Sequence, residues 1–219
     1  KIMIKTIYMH WLELQKFAPV LRQLVRQQLI LRYRRTALGY LWTLINPLLM
    51  MSVTAIVFAS LFKVELKTFA IFLFAGMIPW NFFNSAVVQS SSAFISNESL
   101  IKKIYLPKLL FPLSVSLGML IDSFLSFIAL FLIIILLGGA LSWSLIFLPI
   151  AFMLLFFFAF GLALIVSVAT VFFRDLQYIM TVAMQALFFL TPILYNKQML
   201  AGKIAWLVTM NPVASYIEL

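Results

Sequence analysis

LRQLVRQQLILRYRRTALGYLWTLINP, residues 21–47, reads as a basic amphipathic helix that turns, without a loop, into a membrane span. At about 100° per residue, Val20, Leu21, Leu24, Val25 and Leu29 fall on one side, and Arg22, Gln23, Arg26 and Gln27 on the other. Such a helix is expected to lie in the interfacial plane, its apolar face among acyl chains and its arginines near phosphates. The pattern ends in a basic collar, Arg32, Arg34 and Arg35, and apolar sequence then runs from Ala37 to Phe62. Arginines gathered at one end of a span mark its cytoplasmic side. On its own the stretch is equally a topology signal joined to an amphipathic anchor, and the rest of the chain has to decide.

Composition narrows the class. Of 219 residues, 65% are apolar and 10% charged, and the mean hydropathy is +1.12. A water-soluble fold of this size lacks the polar residues to cover so much apolar surface, so the expected class is an all-α polytopic membrane protein. The net charge of +10 comes from residues at span ends and not from one patch, which favours anionic lipid headgroups over nucleic acid. There are no cysteines, hence no disulfide and no thiolate metal site, and a metal is not expected. No cleavable signal peptide is read at the start. The chain opens at Lys1 without a methionine and is expected to be trimmed or incomplete there.

Residues 1–36 are read as a cytoplasmic and interfacial region, whose only histidine, His10, is expected to be interfacial. Residues 37–219 are read as a single transmembrane domain. Its spans are expected at about 39–62, 69–90, 110–137, 145–173 and 178–194, the first of them long enough for a core of about 30 Å at about 1.5 Å per residue. Outer-face helices are expected over 197–210. Gly76, Pro79, Asn81, Asn84 and Gln89 interrupt the second span, so it should face protein or a pathway instead of lipid. Between the second and third spans lies a charged, helix-capable stretch with Ser96 or Asn97 as N-cap and Glu98 at the positive dipole end. Twelve of the 16 basic residues fall on the N-terminal side of this topology, with Lys63, Lys67, Lys197 and Lys203 opposite. Five spans leave the two ends on opposite sides, and a sixth is expected beyond Leu219.

Asp122 is the one acid well inside a span. A carboxylate there costs about 2.5–3.5 kcal/mol on insertion scales, so it must face protein or water, either as a hydrogen-bonded structural group or in a pathway. Arg174-Asp175 reads as a snorkelling arginine with an N-cap for the fifth helix, or as a cytoplasmic signature.

The order of these pieces resembles the permease subunit of ABC exporters for polysaccharides, the branch that handles O-antigen, capsule or teichoic acid. The stretches that carry the resemblance are LRYRRTALGYLWTLINPLL (31–49), AGMIPWNFFNSAV (75–87), NESLIKKIYLPKLLFP (97–112), FFRDLQYIM (172–180) and FFLTPILYNKQML (188–200). It covers about Leu21 to Pro212 and rests on order and spacing, since no single motif is decisive. Members of the family carry a sixth span that these 219 residues lack.

The resemblance implies a homodimer in the bacterial inner membrane with the N-terminus cytoplasmic, working with two ATPase subunits on a lipid-linked glycan. The helix at 97–105 would couple to the ATPase through Asn97, Glu98, Leu100, Ile101, Lys102, Lys103 and Tyr105. No G-x-x-x-x-G-K-[ST] loop occurs in the sequence, so ATP and Mg would be bound by the partner and no cofactor or catalytic residue is expected here. Arg26, Arg32, Arg34, Arg35 and Arg174 are the candidates for meeting the lipid pyrophosphate. An aromatic-lined canal is implied, with Trp42, Trp80, Phe82, Phe83, Phe188, Phe189 and Tyr195 as candidates beside Asp122, although phenylalanine is also ordinary core and lipid-facing filler. The competing readings are an ABC exporter of drugs or small lipids and, less well supported, an ion-coupled transporter, for which repeats and further mid-span titratable groups are missing. A membrane glycosyl- or acyltransferase would need clustered acids or histidines, and the six acids are scattered.

Overall fold

The computed structural model describes residues 15–32, 35–136, 143–195, 206, 208 and 210–217. His10, Arg34 and most of the expected outer-face stretch 197–210 lie outside the described residues. What is described is helical: α1 (Ala18–Arg32), α2 (Trp42–Phe62), α3 (Leu66–Ser91), α4 (Ala93–Ser96), α5 (Glu98–Lys103), α6 (Leu110–Leu136), α7 (Leu148–Phe172), α8 (Leu176–Phe189) and α9 (Pro212–Ile217).

Among the described residues, four stretches are long and apolar enough to cross a membrane: Gly39–Phe62, Leu66–Ser91, Leu110–Ile135 and Leu145–Phe172. They are the first four spans. The fifth differs from expectation. α8 has 14 residues, about 21 Å of helix, which falls short of a full crossing. Its end is set by Pro192, which has no N–H and biases Thr191 away from helical backbone. Asn211 then closes the open end: its amide donates to Leu190 O at 3.3 Å and Thr191 Oγ1 at 2.9 Å, while its Oδ1 accepts from Val213 N–H at 3.0 Å and so caps α9.

The central helix is α3, which packs against α2, α6, α7 and α8. Its proline-interrupted sequence, Pro79 included, sits among protein partners. One core joins α3 to α7 through Phe82, Phe83, Leu155, Phe156 and Ala159; a second joins α2, α3 and α6 through Met51, Phe74, Ile78, Phe127 and Leu130. The turn between α2 and α3 is tight because Lys63 takes a left-handed φ of 53° and Val64 N–H returns to Ala59 O at 3.1 Å.

The amphipathic face of α1 is the one read from the sequence, but its partner is protein. Leu24 and Val25 are buried, and Val20 and Leu21 are half-buried against the start of α6, while Arg22, Gln23, Arg26 and Gln27 are exposed. Gln28 Nε2 donates to Ser114 Oγ at 3.2 Å, and its side chain lies over Gly118 of α6. α1 therefore leans along the third span. It does not pass directly into the first one either. Arg35 at φ 72° and Gly39 at φ 53° turn the chain between α1 and a short 3-10 turn, Gly39–Leu41, that starts the first span.

Candidate functional site

A cluster of polar side chains is gathered where the end of α1 meets the middle of α6. Arg32 Nη1 forms an ion pair with Asp122 Oδ2, and Arg32 Nη2 donates to Gln89 Oε1 of α3 at 3.1 Å. Tyr40, just ahead of α2, donates its hydroxyl to Asp122 Oδ1 at 2.6 Å. Asp122 is thus satisfied by a guanidinium and a phenol, the arrangement a carboxylate needs away from bulk water. Counting along α6 puts Asp122 at mid-span, but its partners put it level with the beginning of α2. The first three turns of α6 lie beside α1, below that level. Pairing also changes the reading of Arg32: its charge is already compensated, so Arg26, Arg35 and Arg174 are the described arginines left from the pyrophosphate set, with Arg34 outside the described residues.

Beyond this cluster the space between α2, α3 and α6 opens into a polar cleft of about 220 Å³, lined among others by Thr43, Asn46, Asn81, Phe82, Ser85 and Ser126. Asn81 also borders a second groove between α3 and α8, about 340 Å³, with Trp80, Asn84, Gln185, Phe188 and Phe189. Trp80 and Phe188 face one another with ring centroids 5.5 Å apart. Asp122, Trp80, Phe188 and Phe189, named separately from the sequence, therefore border two grooves that share Asn81.

Of the other aromatic candidates only Phe82 touches a groove. Phe83 is 1% exposed and stacks on Phe158 at 5.8 Å with an interplanar angle of 11°. It is a core residue and borders neither groove. Phe82 is equally buried, packed on Phe152 and Phe156 with its edge at the cleft floor. Trp42 is half-buried at the start of α2, and the Tyr195 hydroxyl donates to Phe189 O at 2.7 Å after the end of α8.

The coupling candidates form a short helix, Glu98–Lys103, narrower than the expected 97–105. Neither Ser96 nor Asn97 caps it with a side chain; Asn97 Nδ2 turns back to Ala93 O at 2.8 Å and closes the preceding turn instead. Leu100 and Ile101 pack inward on a small core of Leu24, Ala93, Leu106, Leu110, Phe111 and Val115, which joins α5, α1 and α6. Glu98, Lys102 and Lys103 face out, and Tyr105 is 80% exposed. Glu98 pairs with Lys102 one turn on; the hydrogen bond and charge of Lys102 hold its carboxyl below the usual carboxylate range. Between α5 and the end of α7 lies a groove of about 430 Å³ with apolar walls, rimmed by Glu98, Lys102, Lys108 and Arg174. Asp175 stands at the N-cap position of α8 but makes no capping bond with its side chain; its carbonyl accepts from Tyr178 and Ile179 N–H at 3.0 and 3.1 Å.

Residues 19–219 match the model of the ABC-2 type transporter family. The chain belongs to that family. Similar curated members of this ABC-2 group carry the name O-antigen export system permease protein RfbA. One from Klebsiella pneumoniae is 33% identical over 196 residues, covering 89% of this chain and 75% of the relative. Another, from Myxococcus xanthus, is 30% identical over 205 residues, covering 93% and 79%. As an ABC-2 protein with four helices long and apolar enough to cross a membrane among the described residues, the chain is a multi-pass membrane permease subunit.

Several residues of the site were missed by sequence reading. Tyr40, Gln28 and Ser114 carried no signal, because their partners lie on other helices. Ser85 did carry one: it falls on the same helical face as Asn81 and Gln89, at intervals of four.

Proposed function

We propose that this chain is the translocation subunit of an ATP-driven exporter that moves a lipid-linked polysaccharide, of O-antigen, capsular or teichoic-acid type, across the bacterial cytoplasmic membrane. Two copies would form the membrane body, each docked to an ATP-binding cassette subunit that binds ATP and Mg, with the N-terminus on the cytoplasmic side. Membership of the ABC-2 family, with relatives named O-antigen export permeases along most of the chain, carries the reading.

The physical route supports it. A push on exposed Glu98, Lys102, Lys103 and Tyr105 is passed by Leu100 and Ile101 into the core shared with α1 and α6. From α1 it reaches Asp122 and Gln89 through Arg32, and so the walls of both grooves. Close-packed interiors transmit such displacements instead of absorbing them. Outward-facing Arg26 and Arg35, with Arg174 on the coupling groove, supply charge for the pyrophosphate of the carrier lipid. The amides and aromatic rings of the grooves suit a hydroxyl-rich chain held weakly at many points.

The test is genetic and chemical. Cells lacking the chain should hold complete lipid-linked glycan on the cytoplasmic leaflet and lose it from the surface, and the wild-type chain should restore display. Normal surface glycan with impaired efflux of a small lipid or drug would move the reading to that cargo class.

A further inference from the structure

Asn81, Ser85 and Gln89 stand in line on one face of α3, an unusual row of amide, hydroxyl and amide on a membrane helix. Asn46 of α2 and Ser126 of α6 face the same cleft. At the cleft's α1 end, Arg32, Tyr40, Gln89 and Asp122 satisfy one another. The side chains of Asn46, Asn81 and Ser85 make no hydrogen bond to protein among the described residues; Asn46 is exposed and the other two are half-buried. Polar side chains lining a cleft between apolar spans are matched by whatever fills it with donors and acceptors, water or a ligand.

The charge of the cleft restricts the choice. Arg32 and Asp122 compensate each other, so neither a cation nor a phosphate finds a net opposite charge. The free groups are amides and a hydroxyl, which both donate and accept, beside an apolar wall that includes Pro47, Ile78 and Phe82. Hydroxyl edges with apolar C–H faces are the complement of that surface. About 220 Å³ is below the range of about 300–1,000 Å³ usual for drug-sized ligands, and it suits a single ring.

We propose that this cleft, inside a single protomer, binds one sugar residue of the exported glycan, with Asn46, Asn81 and Ser85 bonding its hydroxyls. The inference rests on the reading of the chain as a glycan exporter. Asn81, shared with the α3–α8 groove, is where the bound residue would pass towards Trp80 and Phe188.

These 219 residues contain no cysteine, so the label on a single thiol placed among them is read from its own peptide after purification. Pro47→Cys and Ser126→Cys, which line the cleft without belonging to the three bonding groups, would be expressed in the full chain within its complex and labelled in intact membranes with a small hydrophilic maleimide. Two strains are compared, one making the lipid-linked glycan and one lacking the first glycosyltransferase of its synthesis. Both thiols should label in the glycan-free strain, and the rate should fall about fivefold when glycan is made, as for a site occupied most of the time. Ile128→Cys, on the outward face of α6, should show no glycan dependence. If Pro47→Cys fails to assemble, Ser126→Cys, a near-isosteric change, carries the test. Equal labelling in the two strains means that the cleft holds only water, and no labelling in either means that it is closed; each result overturns the site. Surface glycan made by the wild-type chain in the same background separates the two claims. If wild type displays glycan and the thiols are unprotected, only the cleft is lost; if wild type displays none, the export reading falls with it.

Discussion

Arg32, the last residue of α1, is paired with Asp122 in the middle of α6, so the collar of the amphipathic helix is tied to the acid of the third span. Through Asp122 the same tie holds Tyr40 at the entrance to the first span, and through Arg32 it holds Gln89 of the second. Four elements meet at one ion pair. In the proposed mechanism this junction would carry a displacement of α1 to both grooves.

The pair sits between the exposed and the buried limits, with side chains 25% and 16% exposed. Breaking it by Asp122→Asn or Arg32→Gln should therefore cost more than the roughly 1 kcal/mol of a surface pair and less than the roughly 3–5 kcal/mol of a fully buried one. A double-mutant cycle on the melting of the purified complex should return a coupling above about 1 kcal/mol. Additive losses would show that the two residues act separately.

Phe83 and Phe189 should behave oppositely. Phe83 is enclosed by Trp80 and Phe158, and Phe83→Ala should cost about 3–5 kcal/mol in stability. Phe189 is 66% exposed at the edge of the α3–α8 groove, and Phe189→Ala should leave melting nearly unchanged while slowing glycan export. Melting curves and export rates of the two variants decide it.

Asn211 holds the end of the short fifth helix. Asn211→Ala leaves Leu190 O and Thr191 Oγ1 without that donor, and α9 without its cap, so it should cost about 1–3 kcal/mol. Proteolysis at residues 190–195 should become faster in the variant; unchanged cleavage would mean that α8 ends without help from Asn211.

Glu98 should matter for coupling and not for stability. Its folded pKa is depressed, so the contribution of its pairing with Lys102 is present above the unfolded value and lost as pH falls through the folded one. Through the neutral range Glu98 therefore stays ionised and adds no pH dependence to ATP hydrolysis. Glu98→Gln should leave melting unchanged, whereas Glu98→Lys should abolish substrate-stimulated ATP hydrolysis by the complex. Full stimulation in Glu98→Lys would remove α5 from the coupling route.

Much of the fold could be read from the chain because its signals are local. Hydropathy gave four spans close to their observed limits, and the 3.6-residue period gave the buried face of α1 down to Leu24 and Val25. What failed depended on other elements. Nothing local shows that the apolar face of α1 meets α6 and not acyl chains, or that Arg35 turns the chain by a left-handed φ. The fifth helix looked longer because apolar residues continue past Pro192, and the cap that ends it comes from Asn211, twenty residues on. Depth along a helix is also not depth in the assembly: Asp122 counts as central in α6, yet Tyr40 fixes it at the level where α2 begins. Among the candidate site residues, the aromatic ones separated only when packing was visible, since Phe83 and Phe188 read alike in sequence and lie in different surroundings.

The most direct test of the central claim is capture of the tagged full-length chain from native membranes in mild detergent, with identification and quantification of what comes with it. The account predicts an ATPase carrying a G-x-x-x-x-G-K-[ST] loop, in equal amount to this chain and in a particle that holds two copies of each. A chain that comes out without such an ATPase, and stays without it after cross-linking in the membrane, would contradict the account.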